Sequence, residues 1–280
     1  PIRTELGRQF RRYFISRSND RLLIDADYSQ IELRVLAHMA DDKAMQEAFK
    51  SGEDIHTITA SQVFRVPLDS VTPELRKRAK AVNFGIVYGI GDFSLAQDIG
   101  VTKRQAKEYI ESYLDHYSGI RNFMKEIVEQ AKELGYVTTL YGRRRYIPEL
   151  HSPKAPLRAF GERAAMNSPI QGTAADIIKI AMIETSRALK EADIDAKLIL
   201  QVHDELIVEA HESCADKAAE ILRDKMENAV LTLQSGVEMV EILHEMNMDS
   251  ESLLTAMLFP LVANQLVDWE QIQEDFGPKI

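Results

Sequence analysis

Two groups of side chains have the types and spacing to act on a phosphate. Asp25 and Asp27 lie two apart in RLLIDADYS, so on a strand they share a face. Asp204 and Glu205 sit in KLILQVHDELIVEA, where a second strand turns. Hard divalent cations such as magnesium take oxygen ligands, usually one or two carboxylates completed by substrate phosphates. Aspartates from two separate strands therefore make a sensible phosphoryl-transfer site. A plainer reading of the same residues is local: Asp25 faces solvent and Asp204 serves the bend, where aspartate bonds nearby backbone. The second group is Arg76, Lys80, Phe84 and Tyr88, each four residues from the next. On a helix every such step advances by about 40°, so all four occupy a stripe roughly 120° wide. Its cations could grip a triphosphate while its rings pack on base and sugar. The alternative is an ordinary amphipathic helix with basic solvent residues and core aromatics.

The elements that must position these residues are legible in outline. Arg21 to Ser29 starts apolar and then alternates, which predicts a strand, and Ile31, Val35 and Met39 follow at helical spacing. Ser29 with Glu32 three residues on has the form of a capping box. Residues 41–117 read as mostly helical, with long polar helices around 74–88 and 102–134. YVTTLYGRRRYI predicts a hairpin around Gly142, and residues 159–189 an alanine-rich helix. Lys197 to Ala210 predicts a hairpin with His203, Asp204 and Glu205 at its bend, followed by a helix over 213–229. Gly89 and Gly91 in YGIGDF follow a helix rather than a strand, so they read as a helix stop or hinge, not a dinucleotide fingerprint. Strands, a large helical insertion and further strands make a mixed order rather than alternating βαβ.

Composition sets the frame. The 280 residues suffice for about two domains. With 45% hydrophobic and 28% charged residues the chain is that of a soluble globular protein. The longest nearly apolar run, Leu253 to Ala263, is 11 residues, against about 20 for a bilayer span. No membrane helix is expected. The lone Cys214 has no internal disulfide partner and no leader opens the chain, so the cytoplasm is the expected compartment. The net charge of -10 is unevenly spread: Gly236 to Ile280 holds nine acids against Lys279, leaving 33 bases and 35 acids before it. Basic clusters at Arg76, Lys77, Arg78 and Lys80 and at Arg143, Arg144 and Arg145 could meet phosphates or simply face solvent. A His-Asp metal site at His203 of the phosphohydrolase kind would need further ligands on helices, and the histidines show no zinc spacing.

DYSQIELR (Asp27 to Arg34), RKRAKAVNFGIVYG (Arg76 to Gly89) and QVHDE (Gln201 to Glu205), in this order, resemble the three polymerase motifs of the family A DNA polymerases, the bacterial DNA polymerase I type. NSPIQGTAADI (Asn167 to Ile177) is also similar to a segment of that family. The resemblance runs from Pro1 to about Leu233. It implies an α+β fold: a palm sheet from 1–33 and 155–233, with a large helical fingers insertion at 34–154. It further implies template-directed addition of deoxynucleoside triphosphates to the primer of a primer-template DNA. Two magnesium ions held by Asp27 and Asp204 would serve that reaction, with Glu205 an auxiliary acid. Arg76 and Lys80 match the cations that bind the incoming triphosphate, and Lys80 also matches a proton donor to the leaving group. Phe84 would lie against the sugar, Tyr88 beside the templating pair, and Glu32 would help exclude a ribose 2′-hydroxyl. Arg3, Arg163, Asn167, Gln171 and His203 align with residues that touch primer, template or nascent pair.

Two departures from the family pattern carry expectations of their own. The thumb and earlier palm are absent from the sequence, which predicts weak DNA binding and poor processivity. After about Leu233 the final palm strand is replaced by a helical tail, 234–280. Its GVEMVEILHEMNMDSESLLTAMLFPL resembles part of the amino-terminal hydrolase-like domain of the stringent-response guanosine tetraphosphate synthetases. Phe259 and Pro260 stand where active relatives carry a His-Asp pair, so no metal site is expected there. The preferred expectation is thus a monomeric, truncated family A polymerase. The alternative is a nucleotide- or primer-template-binding remnant without turnover, and a tail-led guanosine tetraphosphate hydrolase is a third.

Overall fold

The computed structural model describes residue 9 and residues 13–229. The described chain divides into two compact units, one formed by 30–174 and the other by 13–29 with 175–229.

The first unit is mainly helical. It comprises α1 (Ile31–Met39), α2 (Lys43–Lys50), α3 (Ile55–Phe64), α4 (Pro73–Val87), α5 (Asp92–Ile99), α6 (Lys103–His116) and α7 (Ser118–Leu134). A small hairpin of β2 (Tyr136–Thr138) and β3 (Arg144–Tyr146) follows, and then the first part of α8 (Ala155–Glu191). Local chemistry sets the helix starts. Asp42, Asp54, Thr72 and Thr102 each accept a backbone N–H from the first turn of the helix that follows. Asp42 does this twice over: its other oxygen accepts from the N–H groups of Gly119 and Ile120, so one buried carboxylate caps both α2 and α7. A β-carbon on Gly119 would stand 2.8 Å from the Ala40 carbonyl, so only glycine admits this approach. Leu33, Leu36, Met45, Ile55, Leu95, Tyr113, Tyr117 and Ile120 fill the core. A second cluster, with Val137, Ile147, Leu150, Ala164 and Ala165, seats the hairpin.

One expectation is corrected here. The polar helix expected over 102–134 is two helices, broken at Tyr117, because Asp42 supplies a fresh cap to the amides that follow. Gln30 precedes α1 in a left-handed conformation without a side-chain cap, and the Glu32 carboxylate accepts a hydrogen bond from Tyr88 at 2.9 Å.

The second unit holds an antiparallel sheet in the order β1-β5-β4, with β1 (Arg21–Asp27), β4 (Ala196–Val202) and β5 (Glu205–His211). α9 (Ala215–Asn228) packs on β1 and β5. Leu206, Val208 and Ala210 alternate inward from β5 and are buried with Leu222 and Met226, as a half-buried antiparallel strand requires. A bulge interrupts the β4–β5 register between Leu198 and Leu200, leaving Ile199 exposed. The final part of α8 completes this unit; Pro169 lies within that helix. Arg3 and the tail 234–280 lie outside the described residues. Among the described residues no helix is long and apolar enough to cross a membrane.

Candidate functional site

In the sheet unit the register places Asp27 directly opposite Glu205, and Asp25 opposite Ile207. Val202 on β4 also pairs with Glu205, so β4 and β5 are joined by the two residues His203 and Asp204. Such a tight connection demands special backbone angles, and His203 takes them, at φ 56°. The Gln201 amide braces the turn by donating to the His203 carbonyl at 2.8 Å. The Tyr28 N–H donates to the Asp204 carbonyl at 3.2 Å, tying the end of β1 to the turn.

Three carboxylates therefore gather at one end of the sheet, and Asp27 records the crowding. Its pKa is raised by desolvation first, then by the negative charges of Asp204 and Glu205, then by a hydrogen bond with Asp204. None of the three makes an ion pair among the described residues. Hard oxygen donors suit a divalent cation, but among the described residues no group of three or more His, Cys, Asp or Glu side chains could by itself hold a metal ion. That pattern fits magnesium, which usually takes one or two carboxylates and completes its shell with water and phosphate oxygens. Asp25 shares the face of Asp27 and is exposed, as the local reading has it, and it adds the smallest named contribution to the field at Asp27.

In the helical unit α4 presents Arg76, Lys80, Phe84 and Tyr88 along one side, with Arg76, Lys80 and Tyr88 exposed and Phe84 half-buried. Lys80, Phe84 and Tyr88 follow one another in series. Lys80 Nζ sits 5.8 Å from the Phe84 ring centroid, and the Phe84 and Tyr88 rings stack at 6.5 Å and 19°. The helix stops where expected: Gly89 takes φ 66°, and a β-carbon there would also press on Arg163 and Met166. Phe84, Gly85, Tyr88, Ile90, Asp98 and Arg163 line a cleft of about 630 Å³. On α8, Arg163, Asn167 and Gln171 repeat every four residues, hence on one side, and all three retain solvent access.

Spacing alone did not single out Asp54 and His56. Asp54 accepts from Arg76 through Nε at 2.9 Å and Nη2 at 2.8 Å. Burial opposes its ionisation, but the Arg76 and Thr57 hydrogen bonds prevail and lower its pKa to about 2. His56 is buried, its ring 5.9 Å from Phe84, and its Nδ1 accepts from the Asn83 amide at 3.0 Å. Desolvation lowers its pKa to about 4, so it is neutral at pH 7. Asn83 also donates to Thr59 at 3.1 Å, so the ring rests on a satisfied polar network. The only sequence clue to these residues was Asp54 ahead of Thr57, a cap signal with no chemistry attached. In the other basic cluster, Arg143 donates to the Gly172 carbonyl and Arg144 lies over the Tyr136 ring.

The comparisons with known proteins agree with this geometry. The family model described as DNA polymerase family A matches residues 1–255. DNA polymerase I of Bacillus caldotenax is 52% identical over 230 residues, covering 82% of this chain and 26% of that protein. DNA polymerase I of Mycobacterium bovis is 44% identical over 229 residues, again 82% of this chain. This chain thus spans about a quarter of the length of the curated relatives it matches. Among solved structures, the POL domain of Pol1 from M. smegmatis, in complex with DNA primer-template and dNTP, superposes with a TM-score of 0.78 at 46% identity. That likeness covers 82% of this chain and 40% of the other. A mixed helix-and-sheet fold, the polymerase motifs on the strands and helix that carry them, and a family match over most of the sequence place this chain in DNA polymerase family A.

Proposed function

We propose that this chain adds deoxynucleotides to a primer 3′ end under the direction of a template, as a cytoplasmic monomer. The observation that carries the reading is the carboxylate cluster of Asp27, Asp204 and Glu205, brought to one sheet end by the β1–β5 register and the tight β4–β5 turn. Asp27 and Asp204 would hold two magnesium ions, which when bound lower the pKa of the attacking hydroxyl and neutralise charge on the leaving pyrophosphate. The chain's own residues do the rest. Arg76 and Lys80 bind the triphosphate, and Lys80 supplies a proton to the leaving group. Phe84 lies against the sugar, Tyr88 beside the templating pair, and Glu32, held by Tyr88, crowds a 2′-hydroxyl. Glu205 assists near the primer terminus. Arg163, Asn167, Gln171 and His203, with Arg3, contact DNA. Residues 1–33 with 155–233 serve as palm and 34–154 as fingers.

The primer-template and dNTP bound by the related M. smegmatis domain support these partners. We read 234–280 as a tail of separate, synthetase-like origin on the shift to acidic composition at Gly236, a reading that the family A match as far as residue 255 opposes for its first part. Mass measurement of the expressed chain tests that junction. Single-nucleotide extension of a primed template with magnesium tests the activity. Extension that disappears in Asp204→Ala supports it. Deoxynucleotide binding without extension would instead assign a binding remnant.

A further inference from the structure

The feature that the proposed activity leaves unused is the fork between Asp54 and Arg76. A lone arginine on a solvent-facing helix turn has many rotamers, and a ligand that uses it must first order it. Here the ordering is done by the protein. Asp54 Oδ2 accepts from Arg76 Nε, and Oδ1 accepts from Arg76 Nη2, the paired geometry in which a carboxylate fixes the guanidinium plane. The carboxylate is itself fixed. Its Oδ2 also accepts from the Thr57 N–H at 2.8 Å and the Thr57 hydroxyl at 2.7 Å, so it is part of the start of α3. The Nη1 side of the guanidinium is left without a partner among the described residues, and Arg76 remains 46% exposed. It lies on the side of α4 that also carries Lys80, Phe84 and Tyr88.

We propose that Asp54 is a positioning residue for nucleotide binding: anchored in the α3 cap, it holds Arg76 with its Nη1 edge ready for a triphosphate. This rests on the polymerase reading of α4. The contrary physical idea is that Asp54 competes with the triphosphate and must release Arg76. A competitor has to be able to yield, and this carboxylate is bound by a backbone amide and a hydroxyl as well as by the guanidinium. The two ideas differ in sign.

Asp54→Asn separates them, because asparagine keeps a cap oxygen for Thr57 but removes the charge that orients Arg76. The measurement is steady-state single-nucleotide extension by the full chain, with dNTP concentration varied, together with thermal unfolding. The expected result is a KM for dNTP raised about fivefold with kcat within about twofold, the size expected when the ligand must order a rotamer-rich side chain. Asp54→Glu, which retains the charge, should recover part of the KM. In an Arg76→Ala background Asp54→Asn should change KM no further, since its effect passes through the arginine. A lowered KM in Asp54→Asn overturns the proposal in favour of competition, and an unchanged KM overturns it outright. An equal rise in the Arg76→Ala background also overturns it, by assigning the effect to the fold. If the unsubstituted chain does not extend primers at all, the polymerase reading fails and the proposal fails with it.

Discussion

Two places in the molecule, one in each unit, use the same side chain, aspartate, in opposite ways. In the helical unit Asp42 and Asp54 are surrounded by donors. Asp42 receives three backbone N–H groups, and Asp54 receives an amide, a hydroxyl and a guanidinium. In the sheet unit Asp27, Asp204 and Glu205 face one another, and the pKa of Asp27 rises where that of Asp54 falls. A carboxylate that is matched stabilises the fold that matches it. One crowded among its own kind opposes that fold and waits for a cation. A negative charge set against another on paired strands is the local inconsistency expected of a working site.

The sharpest way to break this contrast is to remove one acid from the crowded set. Asp204→Ala should lower primer extension by about 10³-fold or more, the scale of losing a principal electrostatic element of phosphoryl transfer. Residual extension within tenfold would mean that the cluster is not the reaction centre. The matched set should answer in stability instead. Asp42→Ala strips the acceptor from the starts of two helices and should cost about 2–4 kcal/mol in denaturant unfolding. A loss under 1 kcal/mol would deny Asp42 its double role.

The pH dependence sharpens the comparison further. His56 takes up a proton near its ordinary 6.5 when unfolded but only at about 4 when folded, so the unfolded state binds the proton more readily. Its contribution is whole above pH 6.5 and is lost as pH falls to about 4. Asp54 follows with the same sign between its ordinary 3.8 and about 2. Melting curves between pH 7 and 4.5 should therefore slope less in His56→Gln than in the unsubstituted chain, and parallel slopes would refute the assignment. The smallest effect runs the other way. Asp204→Asn should raise stability by about 0.5 kcal/mol while it abolishes extension, because it relieves like charges at the sheet end. Destabilisation by the same change would mean that the cluster is already satisfied.

Much of this was legible in the sequence because it depends on periodicity. β1, α4, α9 and the β4–β5 hairpin lie within two residues of where alternation and four-residue spacing put them. So do the stripe from Arg76 to Tyr88 and the acids at the hairpin bend. What was not legible depends on partners far along the chain. Near Tyr117 only the Ser118-Gly119 pair hints at a helix break; what makes it is Asp42, 77 residues before Gly119. Nothing near Glu32 announces that Tyr88, 56 residues away, will donate a hydrogen bond to its carboxylate. His56 and Asp54 were overlooked for the same reason. Their significance comes from Asn83 and Arg76 on another helix, and local spacing carries no record of that packing.

The bulge between Leu198 and Leu200 has a bearing on the protein in concentrated solution. β4 is an outer strand among the described residues, and it carries the exposed apolar side chains Ile199 and Val202. A flat outer strand of that composition would invite the same strand of another molecule to add to it. The extra residue twists the strand and breaks the even row of amides, so the sheet is poorly shaped for growth by accretion. Deleting one residue at the bulge should leave the monomer foldable yet prone to precipitate, as light scattering would report.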